Sequence, residues 1–437
     1  MLREALRIGS RRCFSYKSVR RPNLGATSAP KAEPEKTADA VPAATGTGNG
    51  GLAKQLRAKI LATGPITVAE YMREVLTNPQ AGYYMNRDVF GREGDFITSP
   101  EISQIFGELV GIWLVAEWRK MGSPSPFQLV ELGPGRGTLA RDVLKILTKF
   151  KLGAEFSMHM VEVSPFLSKA QAQRFCYTHE TLPEEAQLPH YQVGTTATGT
   201  KAYWHRRLED VPQGFSLVLA HEFFDALPVH KLQLANGQWQ EVLIDVAPKS
   251  EPEAANFHYV LSKSQTPVSR VFHPMPGETR QTLEYSLETE RQVGLLAERL
   301  ERDGGIGLIM DYGHFGEKTD TFRAFKQHAL HEPLLEPGTA DLTADVDFKL
   351  VKSTAETRGH LHCCGPIEQG LFLSRMQGEA RLEQLLANAL PENEAIIRSG
   401  YEMLTDPKQM GSRFKFLAMF PGVVAPHLEK FPVAGFS

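Results

Sequence analysis

A Rossmann-like α/β fold, a mostly parallel sheet covered by helices, is what this 437-residue sequence predicts, and three observations predict it. The apolar run Phe127-Gln128-Leu129-Val130 enters Glu131-Leu132-Gly133-Pro134-Gly135-Arg136-Gly137, and helix-forming sequence follows from Thr138. One helix later, Ser157 to Val163 reads as a second buried strand, carrying the acid Glu162 near its end. Further on, Phe215 to Ala220 is a third strong strand that runs directly into His221-Glu222-Phe223-Phe224-Asp225-Ala226-Leu227-Pro228. An N-terminal helical region and an inserted β-hairpin and helix are expected around this core.

In chain order, the first 21 residues carry seven Lys or Arg against Glu4, a local charge of +6 in a chain of net charge −3, so the remainder carries −9. With Leu2, Leu6, Ile8 and Phe14 as an apolar side and Ser10, Ser15 and Ser18, this Arg-rich, acid-poor leader reads as a mitochondrial presequence. Arg12-Cys13-Phe14-Ser15 resembles a matrix-processing site. The alternative, a basic arm for nucleic acid or anionic lipid, is disfavoured by the acidic remainder, so no nucleic-acid partner is expected. Asn23 to Gly51, rich in Ala, Pro, Thr and Gly, cannot bury enough apolar surface to order itself and is read as a linker. The segments expected are presequence and linker at 1–51, a helical and lid region at 52–125, the first part of the core at 126–228, the insertion at 229–303 and the second part of the core at 304–437. No apolar run approaches the ~20 residues that span a bilayer. Four cysteines, Cys13, Cys176, Cys363 and Cys364, do not make a disulfide framework.

Leu52, Leu56, Ile60 and Leu61 keep a helical period that Gly64-Pro65 stops, and Val68 to Leu76 supplies a second short helix. Ser99 as N-cap and Pro100 at the first helical position start a helix expected to run to Arg119. Capping does not explain Gly91, Gly94, Asp95, Thr98 and Gln104 crowded just upstream, so Thr98 and Ser99 are taken as part of a lid over a bound cofactor.

The glycine run says which cofactor. A strand turning through glycines into a helix lets the backbone approach a ligand and points free amides at it. A dinucleotide fingerprint requires Gly-x-Gly-x-x-Gly, whereas here the third glycine comes one residue early and an acid stands two places before the first. That Glu-x-Gly-x-Gly-x-Gly pattern, Glu131 with Gly133, Gly135 and Gly137, is typical of S-adenosylmethionine sites. Glu162, at the neighbouring strand end, is placed to accept both ribose hydroxyls, because a carboxylate takes two hydrogen bonds at once.

Glu222 and Asp225 stand three apart at the third strand end. Carboxylates there suit a cationic acceptor: they can pair bidentately with a guanidinium and hold it near a positively charged methyl donor. The Asn/Asp-Pro-Pro-Tyr type of motif expected for methylating adenine or glutamine is absent. Phe223 and Phe224 read as packing, and His221 and His230 as structural. His230 to Ala235, Asn236-Gly237 and Gln238 to Val246 form a hairpin, Phe257 to Leu261 a further strand, Glu284 to Arg302 a helix, and Ile306 to Met310 a strand closed by Asp311-Tyr312-Gly313. Asp341, Asp345 and Asp347, with the hairpin acids, are candidates for the substrate groove. His360-Leu361-His362-Cys363-Cys364 lacks zinc spacing, so no metal site is expected, and Gly365-Pro366 is read as the start of a helix. Helices are expected around Ile367 to Met376 and Leu382 to Leu390, and a last strand at Arg413 to Phe420.

Four ordered motifs carry a resemblance: Gly94-Asp95-Phe96-Ile97-Thr98-Ser99-Pro100-Glu101-Ile102-Ser103-Gln104, Glu131 to Thr138, Glu222 to Pro228, and Gly338-Thr339-Ala340-Asp341-Leu342-Thr343. Over residues 52–424 the chain resembles the MidA-like family, in particular its mitochondrial protein-arginine methyltransferase branch. The resemblance implies an S-adenosylmethionine-dependent methyltransferase fold, a matrix location, and symmetric dimethylation of an arginine in a core subunit of the peripheral arm of respiratory complex I, in support of its assembly. The family commonly shows Asn where this chain has His221. Two other readings remain open at this stage, a cofactor-binding assembly chaperone and a small-molecule amine methyltransferase.

Overall fold

The computed structural model describes residues 50–85, 97–152, 155–248 and 257–437. The leader, nearly all of the linker, and Gly91, Gly94, Asp95 and Phe96 of the expected lid lie outside the described residues.

Helix α1 (Gly50–Thr63), a two-residue strand β1 (Ile66–Thr67) and helix α2 (Val68–Thr77) open the chain as the apolar period predicts. Thr67 caps α2 by accepting the Glu70 amide at 3.0 Å. The single helix expected from Ser99 is instead two, α3 (Ser99–Ile102) and α4 (Gln104–Lys120), with extended Ser103 between them. Thr98, not Ser99, holds the N-cap position of α3, and the Ser103 hydroxyl accepts the Ile105 amide at 3.3 Å. A serine side chain that takes a backbone amide offers the chain an alternative to continuing the helix, and here that alternative wins.

Strand β2 (Phe127–Leu132), helix α5 (Thr138–Lys149), strand β3 (Phe156–Val161) and helix α6 (Pro165–Phe175) alternate as expected. Strands β4 (Cys176–Thr181), β5 (Gln192–Thr196) and β6 (Lys201–His205) then follow, none of them among the expected elements. Five of the six β4 residues are exposed, which removes the apolar alternation that marks a strand. After β7 (Ser216–His221) comes the insertion. Its hairpin β8 (His230–Ala235) and β9 (Gln238–Val246) turns through Asn236 (φ 52°) and Gly237 (φ 75°), the two left-handed residues of a type I′ turn. β10 (Phe257–Leu261) pairs with β9, β11 (Thr282–Tyr285) with β8, and the N-terminal β1 with β9, so the first helices and the insertion share one apolar cluster of Leu56, Tyr71, Met72, Ile244 and Phe257. Glu284 lies in β11 rather than in a helix; helix α7 (Leu287–Asp303) starts after Ser286, whose hydroxyl accepts the Thr289 amide at 3.0 Å.

Strand β12 (Gly305–His314) re-enters the main sheet, and a small sheet of β13 (Arg323–Lys326), β14 (Ala329–His331) and β15 (Asp341–Thr343) sits beyond its end. Short β16 (Val346–Asp347) leads into helix α8 (Phe348–Arg358), which Asp347 caps, and then β17 (His362–Glu368). Gly365-Pro366 does not start a helix: it sits inside β17, at a break in register between Cys364 and Ile367. Helix α9 (Gln369–Arg375), α10 (Gly378–Leu386), α11 (Pro391–Thr405) and strand β18 (Phe414–Phe420) follow.

The main sheet runs β17-β18-β12-β7-β2-β3-β6-β5-β4, parallel from β12 through β6, with β18 antiparallel beside β12. One face packs on α4 and α5, the other on α7 and α8. Helix α4 comes close to α5 because Gly107 and Gly111 face it; a Cβ on either would stand 2.7 Å from the Asp142 Cβ or 2.9 Å from the Ile146 Cβ. Parallel order puts the carboxyl ends of β2, β3, β7 and β12 along one edge, at the crevice where such sheets bind ligands. Among the described residues no helix is long and apolar enough to cross a membrane.

Candidate active site

The loop after β2 is built on three left-handed glycines, Gly133 (φ 60°), Gly135 (φ 52°) and Gly137 (φ 74°), the last serving as N-cap of α5. Left-handed backbone favours glycine, and at Gly133 there is also no room: an added Cβ would lie 2.8 Å from Cδ2 of Phe223. The Gly133 amide is held by the Val161 carbonyl at 3.0 Å, tying this loop to the end of β3. Glu131 is 3% exposed, and burial pushes its carboxyl up to about 8 against the pull of the Ala140 amide. Its Oε2 has no hydrogen-bond partner among the described residues.

Glu162 follows β3 immediately and is also buried. The Ser164 amide donates to Oε1 at 2.8 Å and the Gln171 side-chain amide to Oε2 at 2.9 Å. Burial raises its pKa to about 7, and those donors oppose the rise. Each oxygen keeps acceptor capacity for a second donor. Gln171, on α6, was not singled out from sequence. Its Nε2 also donates to the Gly135 carbonyl at 2.7 Å, while its Oε1 accepts from the Trp204 indole at 2.7 Å. It therefore clamps the glycine loop to the strand-end acid. A glutamine in a helix has no local pattern that would have announced this.

Glu222 follows β7 with φ 48°, a left-handed conformation that glutamate rarely adopts and that such folds tolerate mainly at functional sites. The next three backbone amides, of Phe223, Phe224 and Asp225, all point at Oδ2 of Asp311, at 3.2, 3.0 and 3.4 Å. Asp311 ends the buried run of β12 next door, and its Oδ1 accepts the Tyr312 amide at 3.0 Å. An acid at the carboxyl end of a buried strand was the available signal for it. Asp225 accepts from Thr343 at 2.9 Å and from the Tyr312 hydroxyl. Burial raises the pKa of Glu222 well above its ordinary value, with the neighbouring Asp225 charge adding to it; Asp225 and Asp311 are raised by burial as well. Glu222 Oε1 and Asp225 Oδ1 are buried and lack partners among the described residues.

A cavity of about 1040 Å³ joins these parts. Gly133, Gly135, Glu162, Glu222, Asp225, Tyr312, Asp341 and Asp345 all line it. Asp341 accepts the Tyr84 hydroxyl at 2.7 Å, and Asp345 is compensated by Lys318 and by Arg323 at 2.7 Å. Asp347 belongs to a helix cap, not to this cavity, and the hairpin acids do not line it either: Glu241 is held by His230 at 2.6 Å inside the insertion. Thr98 and Glu131 line a separate chamber of about 40 Å³ beside the glycine loop, which Gly133, Gly135 and Glu222 share with the main cavity. Ser99 lines neither; its backbone N–H donates to the Glu222 carboxylate. His221 is stacked on Phe414, edge-on to Phe106, and kept neutral by burial, which lowers its pKa to about 3.

The residues present fit S-adenosylmethionine: glycine backbone where side chains would block, a ribose-capable carboxylate 6% exposed at the next strand end, and unpartnered acid oxygens where a cation would come. Comparison with known proteins agrees. Residues 109–367 match a family of S-adenosyl-L-methionine-dependent methyltransferases. Over its full 437 residues the chain is 83% identical to a Drosophila melanogaster protein named protein arginine methyltransferase NDUFAF7 homolog, mitochondrial, and covers all of it. It is 48% identical over 377 residues to the Homo sapiens mitochondrial protein arginine methyltransferase NDUFAF7, covering 84% of this chain and 83% of that one. Its fold is similar to that of a Burkholderia thailandensis protein solved with S-adenosyl-homocysteine bound, with TM-score 0.68 and 22% identity over 86% of this chain and 93% of that one.

Proposed function

The chain belongs to the family of S-adenosyl-L-methionine-dependent methyltransferases matched at residues 109–367, and from that premise we propose that it methylates arginine in a protein substrate. The observation that carries the reading is the pair of buried oxygens, Glu222 Oε1 and Asp225 Oδ1, that have no hydrogen-bond partner among the described residues, on residues that line the cavity with the glycine loop. Two raised carboxyls facing one cavity want a cation, and a guanidinium supplies charge and paired N–H donors together. When bound, S-adenosylmethionine supplies a methyl carbon activated by its sulfonium. Glu222 and Asp225 hold the guanidinium, fix the attacking nitrogen in line, and exclude water from it. As the new N–C bond forms, the attacking nitrogen gives up a proton, and Glu222, whose pKa is raised by burial, is suited to take it. Asp311 acts through others, keeping the Phe223 to Asp225 backbone in place.

The names of the relatives support a mitochondrial protein arginine methyltransferase; the finer reading, a matrix enzyme that symmetrically dimethylates an arginine of a complex I peripheral-arm core subunit and so promotes assembly of that complex, rests on the four-motif resemblance alone. The test is Glu222→Gln in the full chain. Methyl transfer to the subunit should fall by about 100-fold or more while S-adenosylhomocysteine affinity stays within about twofold. Unchanged turnover would overturn the assignment. Mass spectrometry of complex I subunits from cells with and without the protein reads the modified arginine and the number of methyl groups.

A further inference from the structure

The lining of the main cavity is sorted by charge and depth. Its acids Glu162, Glu222, Asp225, Asp341 and Asp345 have side chains 19% exposed or less. The cations Arg73, Arg206, Arg207, Arg291, Lys318 and Arg413 line the same cavity and are all exposed. A side chain that lines a cavity and is also exposed stands where the cavity opens to solvent, so an anionic floor lies beneath a cationic mouth. The chain beyond its leader carries −9, and a mouth of this sign runs against the protein as a whole.

Some of these cations are already matched. Arg207 pairs with Asp210 at 2.8 Å, Arg291 with Glu288 at 3.0 Å, and Lys318 with Asp345. Arg73, Arg206 and Arg413 have no carboxylate partner among the described residues; Arg206 lies instead over the Tyr191 ring, 4.7 Å from its centre. Arg73 belongs to α2, Arg206 follows β6 and Arg413 precedes β18, so three separate parts of the chain bring unmatched positive charge to one opening. A target arginine entering alone meets this charge before it reaches Glu222 and Asp225. Like charge at an entrance opposes capture, whereas acids beside the arginine turn the same mouth into an attraction.

We propose that the cavity mouth recognises acidic side chains flanking the target arginine, so that the preferred protein substrate carries Asp or Glu close to it in sequence, with Arg73, Arg206 and Arg413 as specificity-determining residues. The inference rests on the reading of the cavity as an arginine site and adds the chemistry that surrounds that arginine. A peptide fits better than nucleic acid, because the floor of the same cavity is anionic and repels a phosphate backbone.

Fluorescence anisotropy tests it, with the full chain saturated with S-adenosylhomocysteine and short labelled peptides whose central arginine is flanked by Glu, Gln or Lys. One exposed ion pair contributes little, but two or three together make the Glu peptide bind about tenfold tighter than the Gln peptide at low salt. That margin should shrink to about twofold at about 0.5 M salt. Arg73→Glu, Arg206→Glu and Arg413→Glu combined should reverse the order, so that the Lys peptide binds best. Equal binding of the Glu and Gln peptides by the wild type overturns the proposal and needs no variant to fold. A charge-reversed protein that still prefers Glu flanks overturns the role of the three arginines, and an RNA oligonucleotide that displaces the labelled Glu peptide better than the unlabelled peptide does overturns the choice of ligand. Citrulline in place of the central arginine separates this inference from the reading beneath it. If citrulline weakens no peptide while the preference for Glu flanks stands, the arginine reading fails and the acid preference of the mouth does not.

Discussion

Replacing Glu131 with Gln should stabilise the cofactor-free protein at pH 8.5 and leave it nearly unchanged at pH 5. Glu131 is buried with one oxygen unpartnered among the described residues, and its carboxyl moves from an ordinary value of 4.5 to about 8. Below pH 4.5 the group is protonated in both folded and unfolded chains and contributes no difference. Between 4.5 and 8 the folded chain keeps a proton that the unfolded chain releases, so stability falls as pH rises through that window. Above 8 the whole cost is present, about 5 kcal/mol for a displacement of that size. Glutamine has the same shape and does not titrate, so the variant escapes the cost. The expected gain is up to about 5 kcal/mol at pH 8.5, or about 5 °C in melting temperature for a chain of this length. Urea unfolding and melting curves of both proteins, without cofactor, at pH 5 and pH 8.5 read it directly. A stability difference that does not change with pH, or a variant less stable at pH 8.5, would refute the reasoning, because it would mean that Glu131 is ionised and satisfied in the folded protein.

Burial raises Glu162 to about 7; if its ionised form accepts the ribose hydroxyls as proposed, S-adenosylhomocysteine affinity should rise by about tenfold between pH 6 and pH 8. Calorimetry should show that rise in the wild type and a flat profile in Glu162→Gln; a flat wild-type profile would remove Glu162 from the ribose. Asp311→Asn leaves one oxygen and an amide donor where three backbone N–H groups converge, and should cost about 2–4 kcal/mol in urea unfolding. It should also reduce methyl transfer far more than cofactor affinity; unaltered stability would show that those amides find other acceptors.

The differences between expectation and structure have separate physical causes. The Ser99 cap and the continuous helix to Arg119 failed because Ser103 offered its own hydroxyl to a backbone amide, and a capping serine four residues into a helical pattern is not visible as a break. Glu284 reads as helix by composition, yet its carboxylate accepts the Thr321 and Phe322 amides from within β11, a partner 37 residues away. Gly365-Pro366 looked like helix punctuation and is instead an irregularity in β17, kept there by pairing with β18. In each case a contact distant in sequence, or one side-chain hydrogen bond, overrode a local preference.

What the sequence by itself determined is the part of the molecule whose physics is local. Strand, acid, glycines and helix between Phe127 and Lys149 fall within a few turns of chain, so their spacing alone names the cofactor. The hairpin at Asn236-Gly237 is local in the same way, since a type I′ turn needs only those two residues. The tertiary structure alone decided which groups complete the site. Asp311 reaches the Glu222 loop because β12 lies beside β7, Gln171 meets Gly135 and Glu162 because α6 folds back over β2 and β3, and Glu101 comes to line the same small chamber as Glu131 although 30 residues separate them. Register and packing place these side chains within hydrogen-bonding distance or around one chamber across tens of residues, and no spacing along the chain encodes that distance.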